Sequence, residues 1–275
     1  MSVIKKENCV LFLTTSQSND IKTLIDALKE ILNNVNLVFK EDGMLIKAID
    51  PANVALVHLK LDANRFHTYH LTVPQLEVGL NMPNLHKFTK QIKKDDVLTL
   101  FVERDNIGEL GIFIENSEVK NLNYLKLYDV DNPDYDTGVM EFSSMFTISS
   151  KMFKNICGRM SDIDSETIEI KTVNNQIIFG GKGEVGNTEI ILSWNADGTS
   201  SNDTPNAVSF AKKSDENIVV QGEFSRDYLK RFAKAEGVAN VVLMGLENDQ
   251  PLMLEYIVSD LGKLRFCLVP KIDAE

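Results

Sequence analysis

The same order of elements runs through both halves of this 275-residue chain, and that repetition limits its possible folds more tightly than any motif does. In the first half Ile21, Leu24, Ile25, Leu28, Ile31 and Leu32 recur at helical spacing. Strand-like stretches follow at 36–40, 44–49 and 54–62, the first two joined by the turn Glu41-Asp42-Gly43. A second helical pattern puts Leu85, Phe88 and Ile92 on one face, and 97–102 and 109–115 read as a hairpin pair. In the second half Met152, Phe153, Ile156 and Met160 mark a helix, and 167–172 and 176–180 flank the turn Val173-Asn174-Asn175. A fourth helix carries Phe224, Leu229 and Phe232, and 241–246 pairs with 252–258 across 247–251. Helix, strands, helix, strands in each half predicts an α+β protein of two similar domains, each near the usual ~100–150 residues. Residues 127–137 have the turn formers and acidity of a connector between a domain at 1–126 and another at 138–275. The segment 195–206, rich in Ser, Asn, Asp and Gly, reads as a mobile surface loop.

Charge is sorted as regularly as hydrophobicity. The protein carries −11 overall, yet the four helical stretches at 20–34, 83–94, 149–160 and 224–235 hold 13 of its 29 Lys and Arg residues. Only Asp20, Asp26, Glu30 and Asp227 oppose them there, a net +9 that leaves −20 on the other 224 residues. Lys22 and Lys29 are seven apart, Lys87, Lys90 and Lys94 follow i, i+3, i+7, and Arg226, Lys230 and Lys234 follow i, i+4, i+8. Each set occupies one stripe of its helix. Lys151, Lys154 and Arg159 supply the third stretch. Local basic faces on an acidic protein suit a polyanion, and the expected ligand is nucleic acid held by helices.

Other function classes find little support. The longest apolar runs are too short for a membrane span, and the N-terminus lacks the apolar core of a signal peptide. Cys9, Cys157 and Cys267 are odd in number and far apart, which predicts a reducing compartment and buried thiols. Gly181-Lys-Gly-Glu-Val-Gly186 spells a dinucleotide-binding fingerprint, but it runs into the apolar strand-like 188–194 instead of opening a helix. Asp129, Asp131, Asp134 and Asp136 lack the glycine and terminal glutamate of a calcium loop, and His67 and His70 lack further metal ligands. The expectation is no catalysis, no cofactor and no metal.

Several segments together resemble one family. They are Asp26-Ala-Leu-Lys29, Ala48-Ile-Asp-Pro-Ala-Asn-Val-Ala-Leu-Val57, Phe66-x-Thr-Tyr69, Tyr124-Leu-Lys-Leu-Tyr-Asp-Val-Asp131, Gly183-Glu-Val-Gly186 and Leu268-Val-Pro-Lys-Ile272. In this order, from about residue 10 to the end, they resemble the proliferating cell nuclear antigen (PCNA) sliding clamps. The resemblance implies two DNA-clamp domains per chain, a trimeric ring with helices lining a central hole, and antiparallel sheets outside. It implies a non-catalytic processivity factor on duplex DNA, in the nucleus or, for a divergent viral member, in a viral replication compartment. Partners would be DNA polymerase, a clamp loader, two further copies of the chain, and replication and repair proteins carrying short peptide motifs.

Carried onto this chain, the resemblance makes Lys22, Lys29, Lys87, Lys90, Lys94, Lys151, Lys154, Arg159, Arg226, Lys230 and Lys234 the phosphate contacts. Ile49, Val54, Leu56, Val130, Pro251, Cys267, Val269 and Pro270 would line the pocket for partner peptides, and Tyr124 and Ile190 would mark the edge strands that join neighbouring copies. Asn155, Gly158 and Asp227 stand where the family usually has basic residues, Cys267 and Asn53 where it has Tyr and His, and the connector is shorter. A heteromeric checkpoint clamp or a monomeric processivity factor would share most of these features. An enzyme built on the Gly181–Gly186 loop is the alternative from another class.

Overall fold

In a computed structural model, the structure describes residues 4–131, 140–193, 208–215 and 217–271. The calcium-like run therefore lies partly, and the 195–206 loop wholly, outside the described residues. The chain forms two compact units, one of Met1–Pro51, Val57–Asp134 and Val258–Leu264, the other of Ala52–Leu56, Tyr135–Ile257 and Arg265–Glu275.

The first unit runs β1 (Cys9–Thr15), α1 (Ser18–Leu28), β2 (Asn34–Lys40), β3 (Gly43–Ile49), β4 (Ala55–Asp62), β5 (Thr68–Leu71), β6 (Gln75–Asn81), α2 (Met82–Thr89), β7 (Val97–Glu103), β8 (Asn106–Glu115) and β9 (Lys120–Lys126). One sheet has the order β5-β1-β7-β8-β9, with every pair antiparallel. In another sheet β2 lies between β3 and β6. Strand β1 alternates buried and half-buried residues, whereas Val35–Phe39 within β2 is buried continuously. Asn81 caps α2 by accepting from Asn84 N at 3.1 Å, with Pro83 in the first turn.

The second unit repeats the plan as β10 (Ser144–Ser149), α3 (Ser150–Asp162), β11 (Thr167–Val173), β12 (Gln176–Lys182), β13 (Asn187–Ser193), β14 (Ser209–Lys212), β15 (Val220–Ser225), α4 (Arg226–Phe232), β16 (Val241–Leu246), β17 (Leu252–Val258) and β18 (Gly262–Leu268). A 3-10 turn, Ala233–Gly237, continues α4. One sheet is ordered β13-β12-β11-β15, and β14, β10, β16 and β17 pair in sequence in another. Ring stacking of Phe232 on Phe266, with centroids 4.4 Å apart, fixes α4 against its sheet.

Two expectations need correction. A strand, β1 or β10, precedes the first α-helix of each half, which does not begin with that helix. The helices also stop short of the basic stripes, so Lys29 and Lys90 cap α1 and α2, Lys94 lies beyond α2, and Lys234 sits in the 3-10 turn. The start of the expected connector is stitched to the first unit: Tyr128 N donates to Gly79 O at 2.8 Å, and Asn36 Nδ2 donates to Val130 O at 2.8 Å. Gly79 permits that approach, since a Cβ there would lie 2.1 Å from Tyr128 O.

Candidate functional site

Most of the expected phosphate-binding side chains point to solvent. Lys87, Lys90, Lys94, Lys151, Lys154, Arg159, Lys230 and Lys234 are exposed, on or just beyond α2, α3 and α4. The buried faces of the same helices explain this: Met82, Leu85 and Thr89 on α2, Phe153, Ile156 and Met160 on α3, and Leu229 and Phe232 on α4 anchor one side and leave the lysines on the other. Lys87 Nζ rests on Asn84 Oδ1 at 2.8 Å and Lys230 Nζ on Ser161 Oγ at 3.3 Å. Both are light tethers that a phosphate could replace.

Helix α1 is different, and here the basic face expected of all four helices fails. Asp20, Asp26 and Glu30 outnumber Lys22 and Lys29 along 20–34. Lys29 Nζ lies 3.1 Å from Asp26 Oδ1 and 2.8 Å from Glu30 Oε1, and the hydrogen bond to Glu30 raises its pKa. His86 Nε2 reaches the same Asp26 carboxylate at 3.2 Å. Burial, then the Lys29 ammonium, hold the imidazole below its ordinary pKa. Lys22 is half-buried and donates from Nζ to Ile92 O at 2.8 Å. Arg226, also half-buried, pairs with Asp227 Oδ1 at 2.9 Å. The exposed positive surface is thus expected from α2, α3 and α4 more than from α1.

Both strands expected at a subunit boundary are sheet edges. Strand β9 ends the five-stranded sheet and β13 ends the four-stranded one, so each offers a row of backbone donors and acceptors. On β9 Leu122 and Tyr124 are exposed at 44% and 40%, and Tyr124 meets Phe101 edge-on with ring centroids 5.9 Å apart. Gly111 lies between them in register, and a Cβ there would come 2.1 Å from the Phe101 ring. On β13 Ile190 is half-buried opposite Phe179, while its neighbour Ile191 is 52% exposed. Ile191 was missed in the sequence because period-two alternation alone does not say which face is wet.

The expected pocket residues divide between the units. In the first, Ile49 and Val130 are half-buried. In the second, Leu56 packs with Met140, Met145 and Leu243 against a buried cluster of Phe142, Met253 and Cys267. Val269 N donates to Val54 O at 3.0 Å, Val269 is exposed, and Pro251 and Pro270 are half-buried. Cys267 is 6% exposed and reaches solvent hardly at all, and burial lifts its thiol pKa to about 11. Phe142 belongs to the same buried cluster, seated on Gly245 where a Cβ would lie 2.8 Å from the ring. Its backbone is pinned next door, where Ser143 N donates to Glu247 Oε2 at 2.7 Å and Ser143 Oγ donates to the same oxygen. Phe142 was legible only as a lone aromatic after an acidic connector.

The glycine-rich loop is structural. Gly181–Gly186 joins two antiparallel strands, β12 and β13. A Cβ on Gly183 would fall 1.7 Å from Ile163 O, so this glycine serves chain packing and not a pyrophosphate. Among the described residues no group of His, Cys, Asp and Glu is placed to hold a metal, and no helix is long and apolar enough to cross a membrane. One face of β13-β12-β11-β15 sets three glutamates in a row, Glu189 facing Gly180, Gly180 facing Glu169 and Glu169 facing Glu223, with Lys171 3.4 Å from Glu169 and Lys182 on the same face.

Comparison with known proteins gives this geometry a context. Residues 11–136 match the family model for the N-terminal domain of proliferating cell nuclear antigen, and residues 138–272 match that for its C-terminal domain. The chain is 30% identical over 273 residues to "Probable DNA polymerase sliding clamp 1" of Paramecium bursaria Chlorella virus 1, covering 96% of this chain and 98% of that protein. It is 29% identical over 264 residues to "Proliferating cell nuclear antigen" of Chaetomium thermophilum, covering 93% and 96%. The crystal structure of the Entamoeba histolytica antigen has the same fold, with a TM-score of 0.84 at 21% identity over 96% of this chain and 100% of that one.

Proposed function

Because this chain belongs to the proliferating cell nuclear antigen family, we propose that it is a DNA sliding clamp that closes around duplex DNA as a homotrimer and tethers a polymerase without itself catalysing a reaction. The observation that carries this reading is the placement of exposed lysines and arginine on α2, α3 and α4, in a family of clamps, on a chain that is otherwise acidic. Duplex DNA presents one negative charge per ~1.7 Å of axis, and a clamp must attract that line of charge without stopping on any base. Lys87, Lys90, Lys94, Lys151, Arg159, Lys230 and Lys234 are the proposed phosphate contacts, with Lys29 and Arg226 weakened by their carboxylate partners. Edge strands β9 and β13 are the proposed junctions between copies. In the second unit, Val54, Leu56, Pro251, Val269 and Pro270 are the proposed seat for partner peptides. A clamp loader and peptide-bearing replication and repair proteins are the partners this reading calls for, in the nucleus or a viral replication compartment.

The test is topological. Loaded on nicked circular duplex, the protein stays bound until the circle is cut, and then slides off. Retention on linear DNA with free ends, or none on circles in the presence of a loader, would reject the reading. Solution mass separates a homotrimer from a heteromeric ring or a monomer.

A further inference from the structure

Lys22 and Lys154 occupy equivalent places in the two units. Each is the fifth residue of its unit's first helix, counted from Ser18 and from Ser150. Lys22 Nζ donates to Ile92 O at 2.8 Å, and Lys154 Nζ pairs with Glu236 Oε2 at 2.7 Å. Ile92 lies ten residues beyond the start of α2 at Met82, and Glu236 lies ten beyond the start of α4 at Arg226. The helix starts repeat the pattern: Ser18 Oγ donates to Asp96 O at 2.6 Å and Ser150 N donates to Asn240 O at 2.9 Å, in each case fourteen residues beyond the start of the second helix. Two independent bonds therefore join the first helix of each unit to the segment that follows its second helix. In the first unit that segment is braced again, because Asp96 Oδ2 accepts from Lys93 N at 2.8 Å and Asp96 Oδ1 from Asn116 Nδ2 at 2.7 Å.

We propose that Lys22 and Lys154 are positioning residues, a repeated clasp that fixes the basic segments after α2 and α4 in register with α1 and α3, and that neither is a phosphate contact. The segments they hold carry Lys90, Lys93 and Lys94 in one unit and Lys234 in the other. Sequence spacing groups Lys22 and Lys154 with the phosphate-binding lysines because all are cationic and helical; only the tertiary partner separates the two roles. An ammonium committed to a carbonyl at 2.8 Å has spent one of its three donors inside the protein, and its position is set by the backbone and not by a ligand. The assignment rests on the clamp reading for its effect on DNA, though not for its effect on the fold.

Two readouts together decide it. The first is association with a short linear duplex over a salt series, in which each phosphate contact adds about 0.9 to the slope of log K against log salt. The second is amide hydrogen exchange. Lys22→Met is expected to weaken duplex binding with an unchanged slope, while exchange at 92–96 accelerates; Lys90→Ala is expected to lower the slope by about one contact, ~0.9, with exchange unaltered. Glu236→Gln sets two effects against each other: deleting a negative charge favours binding to any polyanion, so a net weakening reports the loss of the clasp. The proposal fails if Lys22→Met lowers the slope, whatever exchange does, if it leaves exchange unchanged, or if Glu236→Gln does not weaken binding. Should the wild-type protein bind no duplex, the clamp reading fails, and exchange at 92–96 in Lys22→Met and at 233–240 in Glu236→Gln still reads the clasp.

Discussion

At the scale of single residues, glycine and histidine carry consequences that their neighbours dictate. Gly183 has Ile163 O at 1.7 Å from any added Cβ, and Ile163 is backbone that cannot rotate aside. Gly183→Ala is therefore expected to cost about 1–3 kcal/mol, read as a lowered thermal midpoint. Nucleotide titration of the wild-type protein is expected to show no binding, as the strand-to-strand turn implies. His86 has a depressed pKa in the fold, from burial and from Lys29, with Asp26, Glu30 and Lys90 also facing it. A depressed folded pKa means that stability is complete above the unfolded value of about 6.5 and declines as pH falls through the folded one. Between about pH 7 and 5, wild type is expected to lose more thermal stability than His86→Gln. Equal slopes for the two proteins would show that the imidazole is not coupled to folding.

At the scale of elements, what was legible followed from how far a signal reaches along the chain. Helices α1 to α4 were found because apolar periodicity repeats over several turns, and β7, β8, β16 and β17 because their runs are long and flanked by turns. Their ends were not, since Lys29 and Lys90 differ from helical neighbours only in cap geometry. Strand β15, Val-Gln-Gly-Glu-Phe-Ser, was missed because its centre is polar, and β1 because its seven residues precede every other marker. In the candidate site, the sign of charge was legible but partners were not: Lys22 and Ile92 are 70 residues apart, Lys154 and Glu236 are 82. Edge strands make their own prediction. Tyr124→Arg puts a charge on the exposed aromatic of β9, and light scattering is expected to show monomers, against the trimer proposed for the wild type. A trimer that survives would assign the junction to another edge. Ile191→Lys on β13 is expected to have the same effect, because Ile191 is the more exposed of the two isoleucines on that strand.

At the scale of the whole molecule, the proposed seat for partners and the proposed phosphate contacts draw on different residues. The apolar cluster of Phe142, Met253 and Cys267 is buried, so it is the partly buried Leu56 packed against it that offers a partner apolar area, and little of it. A peptide with one aliphatic and two aromatic anchors is expected to bind at micromolar strength or weaker, about 8 kcal/mol or less. Leu56→Asp is expected to abolish the heat of binding in calorimetry, and unchanged binding would move the seat elsewhere. Charge has a longer reach than these contacts. In the second unit Lys151, Arg159, Lys230 and Lys234 lie on or just beyond the exposed faces of α3 and α4, while Glu169, Glu189 and Glu223, only partly offset by Lys171 and Lys182, lie on the sheet, with the core between. Such a body has an electric dipole moment. A rod of phosphates therefore exerts a torque on it as well as a pull, out to roughly the 8–10 Å over which salt screens charge. Orientation is selected before the surfaces touch, and a copy arriving with its glutamates foremost is turned away by the same field that draws its lysines in.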